Sequence, residues 1–531
     1  MIWVDRLAKK IKERNFKKEW VDDMKTPSGR IHVGSLRGVI IHDLVYKVLK
    51  ENGINTQFSY VFNDFDSMDS IPAYLDYQKW EKYAGMPLCR IPSPITGHQS
   101  FASCYAQEFI DVFRKLNCHP KIIWSSQLYQ TGEMDNVVMK ILKNADKIRR
   151  IYKEVAKAEK PDNWFPYHPV CQKCGKVGTT NTYRFDGKYV HYRCEPQQVT
   201  WAAGCGYEGK VAPKGNNGKL PWKVDWPAHW QVIGITIESS GKDHMSSGGS
   251  YDIASHIARD VLEIEPPEAF GGYEWFTVGG KKMSSSKGIG ASAKEIAAIL
   301  PPSVFRFFII RIPIQTHIDF NPGREVLFNI FDDYDRCFHA YFDKIEGKIP
   351  QGKKGEVTTD FARIIELSNI NSLPKKRLYL PRFRIVYNLI ENKKKNLEKI
   401  FSNFKKEKLT SQEKEILEER IFYAQRLLEK EKETILSNTN QKNYQSIDLT
   451  ETQKKFLRIL VEKLTKVKKS DSNSIQKAII QSLKEKNFSP KKVFPGFYLV
   501  LTGKSFGPKA VDLILNLGID KVIKAIEKNV K

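Results

Sequence analysis

No run of apolar residues in these 531 positions approaches the length of a membrane span. The opening Met1-Ile-Trp-Val-Asp-Arg-Leu-Ala-Lys-Lys10 has no apolar core of the kind a secretory leader carries. A membrane protein and an exported one are therefore not expected, and the reading is a soluble protein of the cytoplasm. Cysteine is scarce, eight in all, and unevenly spread: four fall between Cys171 and Cys205, while Cys89, Cys104, Cys118 and Cys337 are scattered. That distribution favours a metal site over a disulfide framework. Acidic residues are the minority charge, 61 against 86 Lys and Arg, for a formal net charge of +25. The excess points to a polyanionic partner, nucleic acid, although a lysine bias of composition would raise the same number. Internal repeats and long structureless linkers are also missing. The chain is too long for a single core, and its 41% hydrophobic content suffices for three or four domains.

What is present begins with Thr26-Pro-Ser-Gly-Arg-Ile-His32-Val-Gly34-Ser35, which runs into Leu36, Val39, Ile40, Leu44, Val45 and Val48. The three-and-four spacing predicts a helix with one apolar stripe, so His32 and Gly34 sit at its start. Unpaired N–H groups and the positive end of the dipole make such a start a seat for phosphate. Gly34 lets an adenine ring approach the backbone, and His32 can donate to a phosphoryl oxygen whose charge grows in a transition state. A second element, Lys282-Met283-Ser284-Ser285-Ser286-Lys287, is framed by Gly279-Gly280 and by Gly288 and Gly290. Alone, a lysine-serine loop reads as a solvated turn. Beside the first element, Lys282 and Lys287 become groups that can neutralise a departing pyrophosphate. Together the two elements describe one ATP site made of His32, Gly34, Ser35 and residues 282–287, with His32, Lys282 and Lys287 as its catalytic groups and magnesium accompanying the phosphates.

Cys171-Gln-Lys-Cys174-Gly175 reads as a metal knuckle, two thiolates close in space with a glycine that frees the turn. Its second half is less regular, since ten residues separate Cys194 from Cys205, although Cys205-Gly206 repeats the first ending. The expectation is one structural zinc on Cys171, Cys174, Cys194 and Cys205, with His191 as a possible substitute ligand and no catalytic role. It would hold a small segment that has little core of its own.

Along the chain, Thr56-Gln-Phe-Ser-Tyr-Val-Phe62 is a β-rich run ending at Asn63-Asp64-Phe65-Asp66, and carboxylates after a strand face the ligand edge of a doubly wound sheet. The ATP-site pattern is interrupted from about residue 100 to 219 and resumes at Leu220-Pro-Trp-Lys-Val-Asp-Trp226, which implies a nucleotide-binding fold split by an insertion. Past Gly290 the pattern is helical, and from about Ile349 it is helical and lysine-rich.

His32-Val-Gly34-Ser35 and Lys282-Met-Ser-Ser-Ser match the two signatures of class I aminoacyl-tRNA synthetases. More closely, the chain resembles the class I lysyl-tRNA synthetases through Thr-Pro-Ser-Gly before His32, Val224-Asp-Trp-Pro-Ala-His-Trp230, Gly241-Lys-Asp-His244, Gly248-Gly-Ser-Tyr-Asp252 and Tyr273-Glu-Trp275. The resemblance implies formation of lysyl-adenylate from ATP and L-lysine and transfer to tRNA(Lys), with activation dependent on bound tRNA. It places Gly29, Trp222, His244 and Tyr273 at the amino acid, and Asp64, Asp66 and Asp243 are candidate partners for the lysine ammonium. The last histidine of the first signature is replaced here by Ser35, and the second lysine of the usual second signature by Ser285, with Lys287 displaced by two. Where the family has an apolar first strand, Lys18-Glu-Trp-Val-Asp-Asp-Met-Lys25 is unusually polar for one buried on both faces.

The expected fold class is α/β, a Rossmann-type doubly wound parallel sheet split by a zinc-bearing insertion and followed by an all-α anticodon-binding domain. The expected limits are 1–99 and 220–290 for the two halves of the catalytic domain, 100–219 for the insertion, 291–348 for a helical stem-contact region and 349–531 for the anticodon-binding domain. A monomer is expected. The competing readings are a class I enzyme for glutamate, whose pocket would want a cation, and an RNA-binding paralogue that has lost catalysis.

Overall fold

A computed structural model describes residues 2–280, 283–288, 290–440, 449–467, 471–502 and 509–530. In chain order its strands are β1 (Glu19–Lys25), β2 (Thr56–Phe62), β3 (Lys121–Trp124), β4 (His168–Pro169), β5 (Thr180–Phe185), β6 (Val190–Cys194), β7 (Glu208–Val211), β8 (Gly218–Lys219), β9 (Ile237–Glu238), β10 (Phe276–Val278) and β11 (Ile318–Phe320). The central sheet has the order β3-β2-β1-β9, and every pairing in it is parallel. The chain steps outward from β1 through β2 to β3, then returns to the other side of β1 with β9. That reversal opens a crevice at the carboxyl ends of β1 and β9, where open α/β sheets bind their ligands. The helix Gly34–Glu51 follows β1 and buries Leu36, Val39, Ile40, Leu44, Val45 and Val48, the stripe its sequence predicts.

Strand β1 is the instructive element. It runs in register with both β2 and β9 and buries Glu19, Asp22 and Asp23. Its carboxylates find partners on the neighbouring elements: Asp22 accepts from the Ser59 hydroxyl, Glu19 from the Thr236 hydroxyl, and Asp23 from the backbone N–H of Met24 at 2.9 Å. Each of these acids keeps one hydrogen bond, while Glu19 Oε1 and Asp22 Oδ2 are buried without a hydrogen-bond partner among the described residues.

The small antiparallel sheet β5-β6-β7 and the β4–β8 pair lie between the third and fourth strands of the parallel sheet. The boundary expected at residue 99/100 is corrected by β3, which falls inside the 100–219 segment yet pairs with β2 in the parallel sheet. A short strand following an amphipathic helix carries little apolar periodicity of its own, so the sequence pattern ends one strand before the sheet does.

Two compact units divide the chain, Met1–Tyr423 and Ala424–Lys531. Every described element beyond residue 349 is a helix. In the second unit these helices close over Phe456, Leu457, Leu460, Phe497, Leu513 and Ile526.

Candidate functional site

The two signature loops touch. The backbone N–H of His32 donates to the Ser285 hydroxyl at 3.2 Å, Val33 N–H to the Ala291 carbonyl at 3.2 Å, and Ala293 N–H to the Ile31 carbonyl at 2.9 Å. On the far side Ala73 N–H donates to the Lys287 carbonyl at 3.1 Å. At Gly29 the loops leave no room for a side chain, since a Cβ there would collide with the carbonyl oxygen of Ser285. At Gly34 a Cβ would lie 2.9 Å from His32 Nδ1, so this glycine makes room for the imidazole as well as for any ligand. Met283 and Ser285 are buried, while Lys287 is exposed. Ser284 and Ser286 shape the turn, their hydroxyls 3.5 Å apart and Ser284 accepting from Lys287 N–H at 3.4 Å. Lys282 lies outside the described residues.

Burial beside Lys25 drives the His32 pKa down to about 3, and its Nδ1 is buried without a partner. The imidazole is therefore neutral at physiological pH and has a ring nitrogen open to a ligand.

A cavity of about 250 Å³ fills the crevice between β1 and β9. It brings together His32, Gly34, Ser35, Asp243, His244, Tyr273 and Met283 of the residues the sequence singled out, and adds Asp23, Lys25, Tyr60 and Glu238. Trp222 stands behind His244, its ring edge-on at 5.4 Å and stacked on Trp226. Asp243 accepts from the Trp275 indole at 3.1 Å. Asp64 and Asp66 do not line this cavity, so their expected role at the lysine ammonium is corrected. Asp66 is ion-paired with buried Lys219 and accepts from the Thr26 hydroxyl at 2.6 Å. Asp64 accepts from the Ser126 backbone and hydroxyl at 2.8 and 2.5 Å. Both follow β2, whereas the cavity opens on the other side of β1.

The acids of the cavity are unlike surface carboxylates. Burial pushes Asp23 up to about 7 and Glu238 up to about 8, although the indoles of Trp226 and Trp230 donate to Glu238 at 3.0 and 2.6 Å. Asp22, paired in register with Glu238, is also raised by burial and by that neighbour's charge. Lys25 is lowered by burial. A Cβ at Gly38 would come within 2.7 Å of both Asp23 Oδ2 and the Tyr273 hydroxyl, so glycine there lets the acid and the phenol sit side by side. His42 closes the rear, donating from Nδ1 to the Gly38 carbonyl at 2.8 Å and accepting from Ser239 N–H at 3.1 Å, which fixes it as a neutral tautomer. Acids that resist ionisation alone ionise more readily beside a cation, and Lys25 in the same lining already pulls Asp23 in that direction. Sequence reasoning missed Asp23 and Glu238. The polar run of β1 was the available indication for the first; nothing in the chain marked the second.

In the inserted sheet the four sulfurs of Cys171, Cys174, Cys194 and Cys205 lie within 4.8 Å of one another. Cys171 and Cys205 are 3.6 Å apart and Cys174 and Cys194 3.7 Å, close to the roughly 3.8 Å edge of a tetrahedron with zinc–sulfur bonds of about 2.3 Å. Gly175 and Gly206 take φ of 73° and 74°, the left-handed turn of a thiolate knuckle. The Cys205 N–H reaches Cys194 Sγ at 3.3 Å, which ties together the two cysteines the sequence separates by ten residues. His191 faces Asp186 at 2.8 Å and Arg184 at 2.9 Å, and is not in the set. The donor set fits a structural zinc.

A parallel sheet with a cavity at its reversal point, two signature loops meeting over that edge, a cysteine-bearing insertion and a helical carboxyl-terminal region define a class I tRNA synthetase. Residues 1–371 match the family described as tRNA synthetases class I (K), and residues 384–530 match the anticodon binding domain. The chain belongs to the (K) family of class I tRNA synthetases. It is 31% identical to the lysine–tRNA ligase of Methanococcus maripaludis over 98% of this chain and 99% of that protein. It is equally identical to the lysine–tRNA ligase of Archaeoglobus fulgidus over 99% of each. A glutamate tRNA ligase structure from Elizabethkingia meningosepticum aligns over 96% of this chain and 99% of that one at 13% identity and a TM-score of 0.33, a likeness that carries no weight here.

Proposed function

We propose that this chain activates L-lysine with ATP and transfers it to tRNA(Lys). In the first step a lysine carboxylate oxygen attacks the α-phosphorus of ATP, giving lysyl-adenylate and pyrophosphate. In the second a hydroxyl of the terminal ribose attacks the adenylate carbonyl and AMP departs. The carboxylate is already ionised at neutral pH, so the step needs alignment and charge stabilisation more than a base. His32, held neutral, donates to the phosphate; Gly34 and Ser35 open the helix start to it; Lys287 and Lys282 meet the leaving pyrophosphate, with magnesium as its counter-ion. Asp23 and Glu238 receive the lysine ammonium, while Tyr273 and His244 wall its methylenes. Gly29 holds the two loops together, and Trp222 supports His244.

The buried acid pair on the cavity floor is the observation that carries lysine over glutamate. The four cysteines hold zinc as a strut, the helical carboxyl-terminal region contacts the anticodon, and the protein acts as a monomer in the cytoplasm. The reading is tested by ATP–pyrophosphate exchange with lysine, glutamate or arginine, with and without tRNA. Exchange is expected only with lysine and tRNA together. Exchange with glutamate would replace the substrate, and a full rate without tRNA would remove the dependence on tRNA.

A further inference from the structure

Lys25 ends β1, and among the described residues it is the only lysine or arginine lining the cavity between β1 and β9. None of the chemistry above uses it. Its ammonium has no hydrogen-bond or ion-pair partner among the described residues. The acids of the same lining are already engaged elsewhere: Asp23 with Met24 N–H, Glu238 with two indoles, Asp243 with the Trp275 indole and Glu274 with Lys242 at 2.9 Å. A half-buried cation without a partner is costly to keep, and an anion entering the cavity relieves that cost. Three neighbours bracket where the anion would sit. Burial is the main cause of the lowered pKa of His32 and of His244, and the Lys25 charge adds to both; the same charge opposes the rise that burial imposes on Asp23. The ammonium thus stands between the imidazole of the phosphate side and the groups of the amino-acid side.

We propose that the Lys25 ammonium binds the α-carboxylate of the substrate lysine and aims it at the α-phosphorus of ATP. The proposal rests on the charging reaction proposed above. Asp23 and Lys25 are two residues apart on one strand, so their side chains share a face with about 7 Å between them. A lysine molecule has six bonds between its carboxylate carbon and its Nζ, about 7 Å when extended. Laid along β1 with its side-chain ammonium at Asp23, it brings its carboxylate to Lys25. That end is the ATP end, because the chain runs on from Lys25 into the loop that carries Gly29 and His32. In the step itself a carboxylate oxygen forms its bond to the α-phosphorus, the bond from that phosphorus to the bridging oxygen breaks, and pyrophosphate leaves with the electron pair. Lys25 donates hydrogen bonds and keeps its proton throughout, since carboxylate and phosphate both favour its charged form. A cation in an acid-floored cavity then has a task that does not invite glutamate, because every amino acid carries the group it holds.

The test compares L-lysine with 1,5-diaminopentane, which is lysine without its carboxylate, by titration calorimetry in the presence of tRNA(Lys). The wild-type protein is expected to bind lysine about tenfold more tightly than the diamine, the share of one hydrogen-bonded charge pair. Lys25→Met is expected to lose that preference by weakening lysine while leaving the diamine unmoved, so the diamine doubles as a check on the fold. Lys25→Gln, neutral but polar, repeats the measurement should Lys25→Met fold poorly. A preference that survives in the neutral variants would assign the carboxylate to another group, and an equal loss of both ligands would make Lys25 structural; either overturns the role, as does a wild-type protein with no preference. A wild-type protein that binds glutamate in place of both would instead overturn the substrate reading beneath it.

Discussion

The four-cysteine cluster of the inserted sheet and the cavity between β1 and β9 both gather ionisable side chains, and they differ in what surrounds them. The four sulfurs of the inserted sheet lie within 4.8 Å of one another, and the little core about them is Tyr192, Tyr207, Val211 and the cysteines themselves. The two acids on the cavity floor sit on adjacent strands of the parallel sheet, with Trp226 and Trp230 donating to Glu238 and Tyr60 beside them in the lining. On the proposed function, the first region would draw its stability from a bound ion, while the second would receive its cation only as substrate. Removing a group should therefore cost structure in the first and selectivity in the second.

The largest effect falls on the knuckle. Cys174→Ser should lower bound zinc from one per chain to near zero by elemental analysis and abolish charging, because structural zinc sites carry on the order of 10 kcal/mol of folding energy. Protease digestion should then cut within 170–210 while leaving the carboxyl-terminal unit whole. Charging retained by the zinc-free variant would make the two regions alike.

Next comes the cavity. Asp23→Asn should lower kcat/KM for lysine in exchange about 100-fold, about 3 kcal/mol, with thermal stability held or raised, since a buried acid is replaced by its neutral isostere. The same change should narrow the preference for lysine over glutamate. A loss of melting temperature without a loss of selectivity would place Asp23 with the knuckle, as a structural group.

Gly29→Ala is the third and smaller test. The added methyl collides with the Ser285 carbonyl and parts the two loops. Exchange should slow about tenfold in kcat with KM for lysine little changed, because the phosphate side is displaced and the acid floor is not.

This ordering is close to the order in which the chain could be read. Cysteine spacing survives translation into structure because four thiols within 35 residues have few ways to be used, and the histidine-glycine and lysine-serine loops were legible because each carries its chemistry in one short run. The doubly wound sheet followed from β2 and the Gly34 helix. The acid floor was hidden for a physical reason: Asp23 and Glu238 are 215 positions apart in sequence and meet only because β9 returns beside β1. Asp64 and Asp66 looked better placed, following an apolar strand, but strand order decides which side of β1 a carboxylate faces, and strand order is a property of the whole sheet. The early close of the first catalytic half, one strand short, has the same origin.

The last test uses pH. Asp23 titrates near 7 in the fold, raised by burial, against about 4 in an unfolded chain. A carboxyl with a raised folded value binds more protons folded than unfolded between those limits, so its stabilising share is complete below pH 4 and is lost as pH climbs to 7. The ligand-free protein should accordingly lose a few degrees of melting temperature between pH 5 and 8. Saturating lysine should flatten that slope, because the ammonium favours the ionised acid, and KM for lysine should fall several-fold over the same range. Asp23→Asn should remove most of both trends. The knuckle has no matching dependence on lysine, so a slope that lysine leaves untouched would have to come from elsewhere in the fold, and the cavity would no longer be the region that waits for a cation.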